Sequence, residues 1–465
     1  MGQTTHETSI LQRLLNAVFY RGGENVFSVL RIRDFRNLWA GQVISFVGDA
    51  LAYNTMTLSI IRLANEEGVS YGKLLSALFV LSALPPLLLG MIAGTIADRS
   101  NRKHLMIGAD IIRGFLTLGF LLVGSLDDVW IYFVVSVSLS AVSMFFFPAR
   151  TAMLPQMLDK KQLLAANALS QLTVTISFVI GAAIAGYMVG TTDMTAPAFV
   201  VDSLSFFISA YFIARISISG RIEHKTEQAE TLPVESVLIK AFRTLRAMSG
   251  ELVVGLRYVL SDQVMRGVLI SFLALMLGLG AANVTFVPLL INELGMKAQG
   301  LGAIRFSQTL GIILGSAYIA SIADRYKARD MIGISMAAFG VTTLMVAVVT
   351  NYTVMVGVLF LVGLVIAPPQ IVAGTLMQRH VPSERLGRAG GAQGTIVNVA
   401  NIASMGAAGI LMDEIGARGV FTLAGILIFT AGLISWWVLR EVENRPAYQS
   451  QENLESEPIL EIAAD

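Results

Sequence analysis

Cysteine is absent from this chain, histidine occurs four times and charged residues make up only 14% of it. The first absence removes disulfides, thiol chemistry and thiolate metal sites. The histidines, His6, His104, His224 and His380, lie away from the centres of the long apolar runs. They therefore build neither a buried metal cluster nor a histidine proton relay, and no His-Glu-x-x-His is present. The phosphate-cradling Gly-x-x-x-x-Gly-Lys-Ser/Thr loop is also missing, which argues against a built-in ATPase motor. Charge is the most telling deficit, because soluble chains carry about a quarter Asp, Glu, Lys and Arg. No clustered acid, base and nucleophile suggests an enzyme, and no basic module suggests nucleic acid.

Apolar sequence fills the space left by charge: 55% of residues are hydrophobic and the mean hydropathy is +0.69. A helix needs ~20 apolar residues to cross ~30 Å of hydrocarbon. Twelve such runs are read at 38–62, 73–97, 104–125, 129–149, 163–190, 196–216, 265–291, 299–323, 330–350, 353–377, 388–412 and 417–439. Pro85-Pro86 and Pro368-Pro369 should kink the second and tenth, and Gly90-xxx-Gly94 and Gly311-xxx-Gly315 are small-residue steps suited to close helix packing. The runs predict an all-α membrane protein of two six-helix bundles, 37–216 and 265–440. Around them lie an N-terminal segment 1–36, a basic linker 217–264 and an acidic tail 441–465. Surface helices are expected at 11–30 and 237–260.

The two bundles share sequence. Gly94-Thr-Ile-Ala-Asp98-Arg99-Ser-Asn101-Arg102-Lys103 returns more weakly as Ala320-Ser-Ile-Ala-Asp324-Arg325-Tyr-Lys327-Ala-Arg329, which marks an internal duplication. Lys and Arg crowd the loops on one side, including Arg31–Arg36, Arg99–Lys103, Arg150–Lys161, Arg325–Arg329 and Arg379–Arg388. The other side holds Arg62, Lys73, Lys297 and Arg418, with Arg305 at its margin. By the positive-inside rule both termini are expected in the cytoplasm, with the chain in the cell membrane.

Within the apolar runs, the polar residues are where chemistry must reside. Asp49, near the middle of span one, is costly as an ion unless paired or hydrated. Proton uptake and release there would couple a gradient to transport, whereas the structural alternative is a hydrogen bond or buried ion pair. Tyr53 and Asn54 extend the same face toward a cavity. Asp110 and Arg113 are spaced for a local ion pair, structural or gating. Asp202 is read as a structural anchor or outer gate, and Arg305 with Glu293 as an outer latch. Asn167, Gln171 and Thr175 in span five and Asn398 and Asn401 in span eleven form polar stripes facing either a helix partner or a central cavity. Phe145-Phe146-Phe147 offers an aromatic surface to lipid, core or an apolar ligand.

The duplicated turn, Gly94-x-x-x-Asp98-Arg99-x-Asn101-Arg102-Lys103, resembles the signature of the major facilitator superfamily. Arg33-Asp-Phe-Arg-Asn-Leu-Trp-Ala-Gly-Gln42, Gly48-Asp49, Ala109-Asp-Ile-Ile-Arg113, Asp202-Ser-Leu-Ser-Phe206 and Gly255-Leu-Arg-Tyr258 are similar to its macrolide-efflux and enterobactin-exporter branch. That resemblance implies a monomeric secondary exporter of a drug-like or other amphipathic molecule, with no cofactor, a proton gradient as energy source and membrane lipid around it. Siderophore export, lysophospholipid movement and a non-transporting sensor are the alternatives. It also implies a gating role for Gly94, Asp98, Arg99, Arg102 and Lys103, with Asp324 and Arg325 as the second copy. Asp98 is expected against the N-terminus of span eleven near Gly387–Gly391, where helix N–H groups favour a carboxylate, and Arg99, Arg102 and Lys103 are expected to pair across the interface with acidic groups or phospholipid heads. Two positions depart from the pattern: Asn101 replaces a glycine, as a residue tolerant of positive φ, and span five lacks the proline of many antiporters.

Overall fold

The computed structural model describes residues 20–21, 24–192, 194–218, 256–257, 259–322, 326–381 and 383–440. Every apolar run becomes a helix. In the first half these are α1 (Arg33–Glu66), α2 (Gly72–Arg99), α3 (Arg102–Thr117), α4 (Val129–Met157), α5 (Lys160–Thr192) and α6 (Ala196–Ala214). The second half has α7 (Gln263–Pro288), α8 (Leu301–Ile322), α9 (Ala328–Val348) and α10 (Tyr352–His380). A single rod, Ser383–Val438, then holds both α11 (383–415) and α12 (417–438), bent where Gly416 takes φ 71°. Glu293 secures that bend: one carboxylate oxygen accepts the Ala417 N–H at 2.7 Å and the other meets Arg418 Nε at 3.1 Å.

The duplication is visible in the packing. In the first half α1 packs on α5 and α6, α2 on α4, and α3 on α4 and α6. The second half repeats this with α7 on the α11–α12 rod, α8 on α10, and α9 on α10 and the rod. Between halves the main contacts are α2 with α11 and α5 with α8, an exchange that matches helix for helix. Glycines allow many of these approaches. At Gly48 an added Cβ would lie 2.5 Å from the Asp202 carboxylate, and at Gly340 it would meet the Phe429 backbone at 2.6 Å.

The prolines predicted as kinks sit inside continuous helices. Pro86 has no N–H for the Ser82 carbonyl four residues back. That carbonyl is taken up by α4, whose Ser140 hydroxyl donates to it at 2.7 Å. The expected amphipathic helix at 11–30 is corrected from residue 20 onward. There a two-residue antiparallel pair, Tyr20–Arg21 with Glu24–Asn25, leads into a 3-10 turn, Val26–Arg31. Val26 and Val29 are buried against Phe35, Leu38 and Met106, so this stretch plugs the first bundle instead of lying on a surface. The expected linker helix falls almost wholly outside the described residues.

Candidate functional site

A cavity of about 370 Å³ opens between the halves. The first half supplies Asp49, Tyr53, Phe79, Ser82, Ser136 and Asp202, and the second supplies Asn283 and Met405. Asp49 faces this space, while Gly48 and Ala50 beside it are buried. The Gly48-Asp49 pair thereby acquires a reason: glycine lets α6 approach, which brings Asp202 behind Asp49. Asp202 is 2% exposed and accepts from the Ser205 hydroxyl, whose better contact is the Asp202 carbonyl at 2.7 Å. Asp202 thus belongs to the cavity wall, away from any outer gate. Its pairing with Asp49 joins residues from two helices far apart in sequence, which no local spacing reveals.

Asp110 and Arg113 form a buried ion pair on α3, as their spacing predicts. The guanidinium lies 4.6 Å from the Phe146 ring centroid and 4.5 Å from that of Phe206. Its charge reaches Asp49 and Asp202 as well. Among the described residues the Arg113 guanidinium is bonded to Asp110 alone, so the carboxyls of Asp49 and Asp202 stand on the cavity wall outside that ion pair.

The remaining polar residues divide. Tyr53 lines the cavity, its ring stacked 5.5 Å from Phe79. Asn54 does not: it is buried and returns its amide to the Ala50 carbonyl at 2.7 Å, satisfying itself within α1. Asn167 and Gln171 are exposed and Thr175 is half-buried on α5, and the Thr175 hydroxyl donates to the Gln171 carbonyl. Asn398 is exposed, whereas Asn401 packs against α7 at Gly280. Of the aromatic run, Phe146 is core under Arg113 and Phe147 is exposed.

Among the described residues, the polar contacts between the two halves lie toward one end of the cavity, the end opposite the basic turns. There Asp413 of α11 receives Ser70 and, at 3.6 Å, Lys73. The Ser76 hydroxyl donates to the Met405 carbonyl at 2.9 Å. Gln299 donates to the Gly190 carbonyl at 2.8 Å and Asn65 to Asn292 at 3.2 Å. Toward the basic end the same helices part. Gly90, Gly94, Gly391 and Gly394 have nothing within 4 Å of where a Cβ would stand. Gly90 lies eighteen residues from Gly72, and Gly391 eighteen from Gly409; Gly72 and Gly409 touch at the closed end. Eighteen residues are five helical turns, so each helix presents one face at both ends. Gly90-xxx-Gly94, read as a packing step, is thus an uncovered face here. Gly311 and Gly315 do pack, against the Phe360–Leu364 backbone of α10.

The basic turn is organised within its own half. Arg102 donates to the Ala152 carbonyl at 2.8 Å and Lys103 to the Ile216 carbonyl at 2.7 Å. These bonds satisfy carbonyls near the ends of α4 and α6, a correction to the expectation that both residues pair across the interface. Asn101 has φ −65°, so no positive φ is required; its side chain caps α3 by accepting the His104 N–H at 3.2 Å. The side chains of Asp98 and Arg99, and the whole of Asp324 and Arg325, lie outside the described residues. The expected Arg305–Glu293 latch is also corrected. Glu293 is committed to Arg418 and Ala417, and Arg305 sits between the rings of Phe286 and Phe178.

Comparisons with known proteins agree with this architecture. Macrolide efflux protein A of Streptococcus pyogenes is 23% identical over 86% of this chain and 94% of its own length. The multidrug efflux pump Tap of Mycobacterium bovis (strain BCG / Pasteur 1173P2) is 24% identical over 78% of this chain and 85% of its own. Among solved structures, a bacterial homologue of the human lysosomal transporter Spinster, inward-facing and unoccupied, superposes with a TM-score of 0.65. That match covers 89% of this chain and 98% of the other at 12% identity, a likeness of fold. The family profile of the Major Facilitator Superfamily matches residues 38–304 and 268–463, so with its twelve helices in two repeated bundles this multi-pass membrane chain belongs to that superfamily.

Proposed function

We propose that this protein is a secondary active exporter that moves an amphipathic or apolar small molecule outward by alternating access, in exchange for protons. One observation carries the reading: a central cavity lined by Asp49 and Asp202 is shut at one end by the α2–α11 and α5–α8 contacts and uncovered at the other. The excess of Lys and Arg assigns the uncovered end, and both termini, to the cytoplasm of the cell membrane. The arrangement is then inward-open, ready to load cargo from inside. The relatives named for macrolide and multidrug efflux support export as the direction and an apolar body for the cargo.

In the reciprocal state Gly90 and Gly94 dock on the Gly391 face while the outer contacts part. Asp98 at the N-terminus of α11 favours that closure, where its charge meets free helix N–H groups. Protonation of the Asp49–Asp202 wall lowers the penalty for closing lipid and protein around it. The protein acts as a monomer, each copy holding a complete cavity.

The test is a cargo screen in everted vesicles, with and without an imposed proton gradient. Gradient-dependent accumulation of apolar amphipaths that collapses with an uncoupler is the expected result. Accumulation indifferent to the gradient removes proton coupling, and selective uptake of a hydrophilic sugar removes the cargo class.

A further inference from the structure

Arg305 reaches from α8 into a second cavity, of about 80 Å³, that adjoins the first along Asn283. Gln308 and Thr343 are the other polar side chains on its wall. The guanidinium lies 4.6 Å from the Phe286 centroid and 5.2 Å from that of Phe178, in the opposite half. Nη1 donates to Gln308 Oε1 at 3.3 Å. Among the described residues no carboxylate pairs with Arg305; its charge instead acts on Tyr53. Tyr53 is one helical turn from Asp49, so a cationic site stands across the same space from the acidic wall.

A cation at this depth without a counter-ion is expensive. Ring faces offset part of that penalty, and stacking also fixes the guanidinium plane. Beyond the one bond to the neutral Gln308 oxygen, the guanidinium keeps N–H groups of the fork which carboxylates and phosphates accept in pairs. The adjoining pocket is the size of one such group. We infer that Arg305 receives an oxyanion, a carboxylate or phosphate, carried by the transported molecule. The cargo is then an amphipath with an apolar body and a negative group aimed at α8. This rests on the export reading above and narrows it.

The test uses two dyes that share an aromatic body, tetramethylrhodamine with its free carboxylate and the methyl ester of the same dye. Binding is read by fluorescence anisotropy on purified protein in lipid nanodiscs. Arg305→Gln should weaken the carboxylate dye about tenfold, the scale of a lost charged hydrogen bond. Binding of the ester should stay within about twofold. Arg305→Lys, which keeps charge but not the fork, should weaken the carboxylate dye about threefold, and carries the comparison should the glutamine variant not fold. Equal loss for both dyes, or for neither, overturns the proposal and makes Arg305 a clamp between Phe286 and Phe178. In that case the export reading survives. Failure of the wild type to bind either dye overturns both.

Discussion

The two halves repeat one another in helix order and pairing yet differ in what they bury. The first half encloses four charged residues, Asp49, Asp110, Arg113 and Asp202, with Asp110 and Arg113 bonded to each other and Ser203 of α6 bonded to the α3 backbone. The second buries Ser271 against Ser435 and closes on glycine contacts, with Arg305 at its edge. A duplicated scaffold has thus kept its geometry while the chemistry has been divided. The first bundle gives the shared cavity its two carboxyls, and the second gives it Asn283 and Met405.

The largest way to break this comparison is to empty the charged half of its exposed carboxyl. Asp49→Asn is expected to abolish gradient-driven export in proteoliposomes while the protein still purifies as a folded species. Undiminished flux would move the coupling site elsewhere. Next is the buried ion pair. Arg113→Leu alone should destabilise by about 3–5 kcal/mol, since it strands the Asp110 charge, while Arg113→Leu with Asp110→Leu should recover most of that loss. A double variant no more stable than the single one would show that the pair matters through its neighbours.

Glycines sharpen the comparison at matched helices. Gly311→Val should cost about 1–3 kcal/mol, because overpacking forces α8 away from α10. Gly90→Val should leave melting unchanged yet slow transport, since its face is bare until the inner ends meet. Thermal shift and flux, measured together, separate the two. Asp413→Ala should increase labelling of a cysteine placed near Ser70 from the outer side, as the seal with Ser70 and Lys73 is lost; unchanged labelling would reduce those contacts to ornament.

The smallest effect concerns Asp262, which caps α7 by accepting the Met265 N–H at 2.9 Å and meets His380 at 3.1 Å. Partial burial alone would push this carboxyl up. The bonds from His380 and the backbone N–H groups, with the charge of His380, hold it below the usual carboxylate range. Its contribution is therefore complete above about pH 4, the ordinary carboxylate value, and fades as pH falls through the lower folded value. Asp262→Ala should cost about 1 kcal/mol near neutrality, and less in strong acid.

Hydropathy made all twelve helices legible because a span must bury every backbone polar group within itself, a requirement written locally. Contacts between helices are not local. Gly90-xxx-Gly94 and Gly311-xxx-Gly315 read alike, yet one is bare and the other packed, since the partner decides. Asp202 looked like an anchor until α6 brought it beside Asp49. Asn54 looked like a cavity residue although its own helix satisfies it. Asn101 was read for its backbone freedom when its side chain was the useful part. Asp110 and Arg113, three apart on one helix, were the exception that spacing could reveal.

Helix α2 carries one further lesson. Its two docking stretches, around Gly72–Ser76 and Gly90–Gly94, share a face, and Pro85-Pro86 lies between them. Each proline withholds one backbone N–H there, and the carbonyl of Ser82 left over has been taken up by the Ser140 hydroxyl of α4. The centre of α2 is thus held by a neighbour's hydroxyl, so Ser140→Ala would strand a carbonyl midway between its two docking stretches.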